Sequence, residues 1–361
     1  MRKLKLTIMK FHIKVRVIPG LFLTLASLSV FTSCNKELPD PVPIVTPPPT
    51  GQSIGNLISN DTSYSILLAA VKKAGVINLL NDSTAVLTVF APDNNAFRLS
   101  GISSAAIINA LPAPQVAAIV NYHIIGGVEL PTDEISTAFP NVQMPTSLVL
   151  QAPFFRMRVF PSLRGPMAFA NNIPLVATDK QMSNGIIHNP MFILSPPSQT
   201  LKQIAVADTS LTFFLAAIAR ADSGQTGLGK FDSLLNYPPV NFTVFAPTNQ
   251  AMKNLLVAYG LPPVTAAFNF IPVQTMRGIA AYHLLGTRAF AVNVPAVPTQ
   301  IPTLLQVSPA SPAVPVIAQY DGAASFTVKG LANASAANVI KFDTHAINGT
   351  LQKIDQVLLP Q

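Results

Sequence analysis

Apolar residues recur at helical spacing in two segments of the chain. The residues on one helical face of the first segment are Tyr64, Leu67, Leu68 and Val71, and those of the second are Leu211, Phe214, Leu215 and Ile218. Asp61 and Asp208 stand just before these segments, where a carboxylate can cap a helix, and Gly75 follows the first segment as a stop. The pattern therefore predicts two amphipathic helices with matching starts.

Short runs of β-branched and aromatic residues predict strands. Val86–Phe90 and Phe242–Phe245 each end at Ala-Pro, and Asp93 or Thr248 can then cap a following helix. Further strands are predicted near Ser147–Leu150, Met157–Phe160, Ile186–Leu194, Ser325–Lys329 and Thr350–Leu359. Dense proline from Val294 to Val316 favours edge strands and irregular loops. The mixture indicates an α+β fold.

The chain repeats itself in a fixed order. The repeated pieces are Asp61-Thr62-Ser63 with Asp208-Thr209-Ser210, Thr88-Val89-Phe90-Ala91-Pro92 with Thr243-Val244-Phe245-Ala246-Pro247, Tyr122-His123 with Tyr282-His283, and Asn184-Gly185 with Asn348-Gly349. The separation grows from 147 to 164 residues along the chain. A period of this length indicates a duplicated domain with small insertions in the second copy.

The N-terminus has the pattern of a lipoprotein leader. Basic residues precede an apolar run, Val17–Phe31, which is 15 residues long and too short for a spanning helix. Phe31-Thr32-Ser33-Cys34 follows and resembles a lipobox, with Phe31 where leucine is usual. We predict a signal peptide over residues 1–33, read from Met1 or Met9, and a lipid anchor on Cys34.

Cys34 is the only cysteine, so a disulfide within one molecule is impossible. Residues 35–52 contain six prolines and few core-forming side chains. We expect residues 34–52 to form a lipidated, semi-rigid stalk. The two domains are then predicted at residues 53–197 and 198–361.

The net charge of +8 is concentrated in the leader, residues 1–33, which contains six basic residues and no acidic one. After cleavage, 17 basic residues face 15 acidic ones. This near balance argues against a basic face for nucleic acid.

Three repeated stretches resemble the fasciclin (FAS1) family. They are the Thr-Val-Phe-Ala-Pro stretches that begin at Thr88 and Thr243, the Tyr-His pairs, and the closing stretch from Asn348 to Pro360. The closing stretch carries Gln352 where the family pattern has histidine, whereas the first copy keeps His188 but departs from the pattern at Asn189. The resemblance implies two compact β-wedge or sandwich domains with several short helices, used in adhesion, without a shared catalytic activity or cofactor.

The candidate binding residues are Tyr122, His123, Tyr282, His283, Asn184, Gly185, His188, Asn348 and Gly349. A core role competes with contact for the Tyr-His pairs, because apolar residues flank both histidines. His345 is expected at the surface or at a sheet edge. We predict no metal site and no catalytic residue, because each copy offers few ligands.

Two motif matches fail in their context. Gly51-Gln52-Ser53-Ile54-Gly55 fits a nucleophile elbow, but a proline-rich segment precedes it instead of a strand. Gly224–Phe231 comes one residue short of a phosphate-binding loop and lacks the hydroxyl that would hold magnesium. We interpret the first as the end of the linker and the second as a surface loop.

Two functional hypotheses remain. The first is a non-catalytic lipoprotein, displayed on the outer membrane and facing the cell surface or the periplasm, that binds a polysaccharide, matrix polymer or cell-surface protein. The second is an accessory subunit of an envelope assembly, for instance one for polysaccharide uptake. Membrane contact through acyl chains on Cys34 is common to both.

Overall fold

The duplicated segments fold as two successive α+β domains. The computed structural model describes residues 51–137, 139–140, 142–150, 155–322 and 325–360. The predicted signal peptide, Cys34 and the stalk up to residue 50 lie outside the described residues, and their assignments stay predictions. The domain boundaries also stay predictions.

The first domain begins with helices and ends with strands. Its helices are α1 (Ile54–Asn60), α2 (Ser65–Ala74), α3 (Ile77–Asn81), α4 (Asn94–Leu99), α5 (Ala105–Ala110) and α6 (Ala113–Tyr122). Its strands are β1 (Leu87–Phe90), β2 (Ile124–Gly126), β3 (Met144–Val149), β4 (Arg156–Val159), β5 (Pro161–Arg164), β6 (Met167–Ala170), β7 (Ile173–Met182) and β8 (Gly185–Pro190).

The second domain repeats this order. Its helices are α7 (Leu201–Ala207), α8 (Thr212–Ala221), α9 (Phe231–Asn236), α10 (Asn249–Ala258) and α11 (Val273–Tyr282). Its strands are β9 (Phe242–Pro247), β10 (Leu284–Leu285), β11 (Thr299–Gln306), β12 (Ala313–Tyr320), β13 (Phe326–Lys329), β14 (Ala337–Ala346) and β15 (Gly349–Ile354).

Each domain is organised around one parallel pair of strands. The first sheet has the order β2-β1-β8-β7-β6-β5, and the second has the order β10-β9-β15-β14-β13-β12-β11. In both sheets the first strand of the domain pairs in parallel with the last one, while the other pairings are antiparallel. A parallel pair needs a long crossover, and here nearly the whole domain forms that crossover.

The predicted helix starts are confirmed. The carboxylates of Asp61 and Asp208 each accept a hydrogen bond from the backbone N–H two residues later, in a 3-10 turn that leads into α2 or α8. Gly75 ends α2 with a φ of +73°, a conformation that favours glycine. Leu68 and Leu215 are only half-buried, whereas Ala70 and Ala217 are buried, so the buried face is shifted from the predicted one.

Two hydrophobic cores lie in each domain. One core joins the helices to the sheet, as at Leu67, Val89 and Ile187 of the first domain. The other lies among the strands and includes Phe90 and Tyr122. The second domain has the same division. The strands therefore bury side chains on both faces and form the expected wedge.

The predicted strands are correct in place and wrong in several limits. β8 ends at Pro190 and β15 at Ile354, so the apolar residues that follow them leave the sheet. The ten-residue strands β7 and β14 were missed, because register shifts interrupt their alternation of buried and exposed residues. The proline-rich region supplies β11 at the sheet edge, as predicted, but also the inner strand β12.

The parallel pairs require glycine at the start of the closing strand. A Cβ on Gly185 would lie 2.0 Å from the carbonyl oxygen of Leu87, and one on Gly349 would lie 2.2 Å from that of Phe242. Gly185 also has a φ of +146°. We therefore expect Gly185→Ala to lower the free energy of unfolding by about 3 kcal/mol or more, through backbone displacement and strain.

Urea unfolding followed by circular dichroism measures this change. Gly126→Ala is the matched control, because a Cβ there meets no atom within 4 Å. We expect the control to stay within about 1 kcal/mol of the wild type. Equal effects of the two substitutions would contradict the requirement for glycine in the closing strand.

Candidate functional site: the Tyr-His and Asn-Gly motifs and the domain junction

The histidines of both Tyr-His pairs are buried between a helix end and the last segment of their domain. His123 Nδ1 lies 2.8 Å from the carbonyl oxygen of Ile119, and its Nε2 accepts a hydrogen bond from the backbone N–H of Leu194 at 2.9 Å. His283 makes the same contacts with Ile279 at 2.7 Å and Leu358 at 2.9 Å. Each imidazole therefore fastens the segment that follows the closing strand.

These contacts fix the protonation of both imidazoles. Because Nε2 accepts from an N–H group, the single proton of the neutral ring resides on Nδ1 and is donated to the carbonyl oxygen. Burial lowers the pKa of His123 and of His283 to about 4, although the hydrogen bond to the carbonyl opposes this shift. Both rings are thus neutral and fully engaged at neutral pH.

The tyrosines of the pairs are also buried, and their hydroxyls bond within the domain. Tyr122 Oη donates to the carbonyl oxygen of Arg158 at 2.9 Å and accepts from Asn171 Nδ2 at 3.2 Å. Tyr282 Oη donates to the carbonyl oxygen of Pro315 at 2.7 Å and accepts from the backbone N–H of Leu331 at 3.0 Å. The Tyr-His pairs therefore present no free polar group to a partner.

The Asn-Gly motifs join each closing strand to the first helices of its domain. Asn184 Oδ1 accepts from the backbone N–H of Ile54, and its Nδ2 donates to the carbonyl oxygens of Leu80 and Asp82. Asn348 repeats this arrangement with the N–H of Leu201 and the carbonyl oxygens of Leu235 and Tyr237. Both asparagines are buried with at least three hydrogen bonds each, so their role is structural.

His188 and Gln352 occupy the same position in the two domains and bond to equivalent groups. His188 Nδ1 accepts from the backbone N–H of Asp179, and its Nε2 donates to the carbonyl oxygen of Leu130. Gln352 Oε1 accepts from the backbone N–H of Asp343, and its Nε2 donates to the carbonyl oxygen of Ala289. The amide thus replaces the imidazole as a donor and acceptor, so the departure from the family pattern preserves the structure.

Asp179 and Asp343, whose backbone N–H groups bond to His188 and Gln352, differ in the pKa of their carboxyl groups. Asp343 is buried, which raises the pKa of its carboxyl to about 6 despite hydrogen bonds from Gln352 and Ala291. Asp179 is more exposed; its partial burial raises the pKa of the carboxyl, but hydrogen bonds from Thr132 and Thr178 and the nearby His188 together lower it. Both residues have a positive φ, 61° for Asp179 and 56° for Asp343, at the register shift of their strands.

Arg288 forms the centre of the junction between the domains. Its guanidinium donates to Asn241 Oδ1, to His345 Nε2 and to the carbonyl oxygen of Ile347, and it lies 4.7 Å from the centre of the Phe160 ring of the first domain. Burial lowers the Arg288 pKa to about 9. Within the described part of the chain no carboxylate pairs with it, so neutral acceptors and an aromatic face compensate its charge.

The expectation for His345 is wrong. The residue lies on the inner strand β14, and its ring packs edge-on to Phe290 at 5.3 Å. Burial lowers its pKa well below the ordinary value, with Arg288 adding to the effect. Sequence patterns could not place this residue correctly, because its neighbours Phe290 and Arg288 belong to distant segments of the chain.

Arg164 bridges from the first domain to the backbone of the second. Its guanidinium donates to the carbonyl oxygens of Val292, at 2.9 Å, and of Val294, and it stacks over the Tyr320 ring at 3.8 Å from the ring centre. Phe160 and Phe290 pack nearby with their centroids 5.8 Å apart. Cation, aromatic and carbonyl groups therefore hold the domains together, a role that the sequence alone did not reveal.

The two rejected motifs take the places expected for them. Ser53 is the N-cap of α1, with its Oγ accepting from Asn56 N–H and donating to Asn81 Oδ1. The glycine-rich segment follows α8 as a loop, and Asp222 caps the next helix by accepting from the backbone N–H of Phe231 and Asp232. In the described ranges, no three His, Cys, Asp or Glu side chains cluster as a metal site would require.

The helices of the described segments are also short relative to a membrane span. No single helix there combines enough length and apolar character to cross a bilayer. The segments Leu201–Ala207 and Thr209–Ala221 reach that threshold only together, and the chain bends by 100° between them.

The equivalence of His188 and Gln352 predicts a tolerated exchange. We expect His188→Gln to change the free energy of unfolding by less than about 1 kcal/mol, because an amide can serve both partners. His188→Ala should lower it by about 2–4 kcal/mol, because a buried N–H and a buried carbonyl lose their partner. Urea titrations of the three proteins measure these values, and equal losses in both variants would refute the equivalence.

The buried histidines also predict acid lability. Their folded pKa of about 4 lies below the ordinary 6.5, so the unfolded chain binds more protons between these values. Stability is therefore complete above pH 6.5 and falls as the pH drops towards 4, by about 2 kcal/mol per histidine at about pH 5. In urea titrations at about pH 7.5 and 5, His283→Ala should be less stable but lose less on acidification. An undiminished loss would contradict this assignment.

Comparisons with known proteins agree with the repeated motifs. A sequence model of the Fasciclin domain matches residues 62–189 and 210–360. The transforming growth factor-beta-induced protein ig-h3 of Sus scrofa is 26% identical over 183 residues, which are 50% of this chain and 25% of that protein. Protein sll1483 of Synechocystis is 26% identical over 152 residues, which are 41% of this chain and 76% of that protein.

A solved FAS1 domain pair from the insect cell adhesion molecule fasciclin I aligns with 83% of this chain and 98% of its own, at 18% identity and a TM-score of 0.37. The chain thus spans about a quarter of the length of the porcine relative. Fasciclin domains are generally involved in cell adhesion or binding. With both repeats matched over most of their length, the chain belongs to the fasciclin domain family.

Proposed function

We propose that this chain is a non-catalytic, lipid-anchored surface protein whose two fasciclin domains bind a polysaccharide, a matrix polymer or another cell. Membership of the family supports a binding role. The lipobox-like sequence before Cys34 and the proline-rich stalk support display at a membrane surface, with the outer membrane as the proposed location.

The observation that carries the proposal is the burial of the motif side chains. The Tyr-His and Asn-Gly residues and His188 are buried and bonded within their own domains. Such groups cannot exchange protons with a substrate without breaking the fold, which argues against catalysis at these positions. Binding must therefore use surface residues outside the motifs.

The domain junction supports simultaneous use of both domains. Arg164 reaches backbone carbonyls of the second domain, and Phe160 packs on Phe290 and Arg288. A partner with repeated units could then contact both domains with little loss of freedom on the second contact, which increases the apparent affinity.

A polymer-binding array with the purified full-length chain tests the proposal. We expect retention of the chain on at least one glycan or matrix polymer. Arg164→Ala should weaken binding to the polymer about tenfold or more, yet change binding to its short fragments less than twofold, because only the polymer engages both domains. Arg98→Ala is the matched control, since this exposed arginine lies in α4, away from the junction contacts.

Absence of binding to every polymer by the folded protein would refute the adhesion proposal. A second candidate, an accessory subunit of an envelope assembly, is favoured by apolar side chains exposed between α10 and α11. Phe270 is 75% exposed and Val264 is 51% exposed. Exposed apolar side chains of this size suit a protein contact where they form one continuous patch. A stable protein that co-purifies with the wild type but not with Phe270→Ser would support this candidate.

A further inference from the structure

A groove of about 770 Å³ lies where the two domains meet. Its walls are mostly apolar, and they include Leu148, Phe155, Pro196, Pro238 and Ile347. The groove is thus lined by the first domain, the linker and two loops of the second domain. A concave, largely apolar surface of this size is typical of small-molecule sites.

The walls of the groove are preformed. Leu148 is part of the strand-side core of the first domain, and Ile347 of the second domain packs against that same core. The proline residues have a fixed φ and no backbone N–H group that would have to be desolvated. A ligand would therefore order few groups on entering, which favours affinity.

One cationic side chain, Arg158, gives the groove a charge preference. Arg158 lines the groove, and its Nη1 donates to Gln143 Oε1 at 3.2 Å. The buried Arg288 is close enough for Arg158 to lower its pKa further, in addition to the effect of burial. Across the described ranges neither arginine has a carboxylate partner. The groove therefore combines apolar walls with the positive charge of Arg158, which no carboxylate in the described ranges pairs with.

We propose that this groove binds a soluble amphipathic anion, with the apolar body of the ligand against the proline and leucine walls and its carboxylate or sulfonate on the Arg158 guanidinium. A charge-assisted hydrogen bond beside an apolar wall is stronger than the same bond in open water. The proposal is independent of adhesion, since it concerns a small soluble ligand and not a polymer or another cell.

Fluorescence titration of the full-length chain in detergent-free buffer tests the site with two dyes. The probes are 1-anilinonaphthalene-8-sulfonate, which is anionic, and N-phenyl-1-naphthylamine, its neutral relative. We expect Arg158→Gln to weaken the anionic dye about tenfold and to change the neutral dye less than twofold, because only the anionic dye loses a charged contact. Decanoate should displace the anionic dye from the wild type at lower concentration than decanol does.

Two further variants locate the dyes. Arg156→Gln removes an exposed arginine of the same strand that does not line the groove, and should leave both dyes unchanged. Ala118→Phe fills the groove from α6 and should weaken both dyes about tenfold or more, in a protein whose circular dichroism is unchanged. Full binding to Ala118→Phe, or equal losses in Arg156→Gln and Arg158→Gln, would overturn the proposal.

Discussion

The parallel pairing of the first and last strands is the constraint on which each domain depends. Gly185 allows the backbone of β8 to approach β1, and Asn184 ties the start of that strand to the first helices. His188 then fixes the strand to its antiparallel neighbour β7, and His123 holds the residues that follow. Asn184, Gly185, His188 and His123 thus hold the closing segment at successive points, from the start of β8 to Leu194.

The sequence predicted the duplication, the mixed fold and the capped helices, because these depend on local chemistry and on self-similarity. It did not predict β7 and β14, whose register shifts interrupt the alternation that marks a strand. It also predicted that β8 and β15 continue beyond their ends. The apolar residues there are buried, but the backbone N–H of Leu194 or Leu358 bonds to a histidine and not to a neighbouring strand. An apolar pattern indicates that residues are buried, but it does not distinguish a strand from an irregular segment that bonds to a histidine.

The candidate residues were predicted from motifs, but what each one contacts depends on tertiary structure. A flanking apolar sequence favoured a core role for His123, and its two hydrogen bonds account for both ring nitrogens. The junction residues Arg164, Arg288 and His345 could not be predicted, because no local pattern distinguishes an arginine that donates to carbonyls from one that faces solvent. The structural equivalence of Gln352 and His188 likewise requires knowledge of the partners.

Each domain contributes one side chain to a core of the other domain. Phe139, from the first domain, packs against the strand-side core of the second, while Ile347 packs in the opposite direction. A duplicated segment is interchangeable with its twin only as long as each copy completes its own core. Here a copy cut at the linker would expose an apolar gap and lose a side chain that its neighbour needs. The two copies are therefore coupled in stability, and a substitution at Phe139 or Ile347 in one domain alters the core of the other.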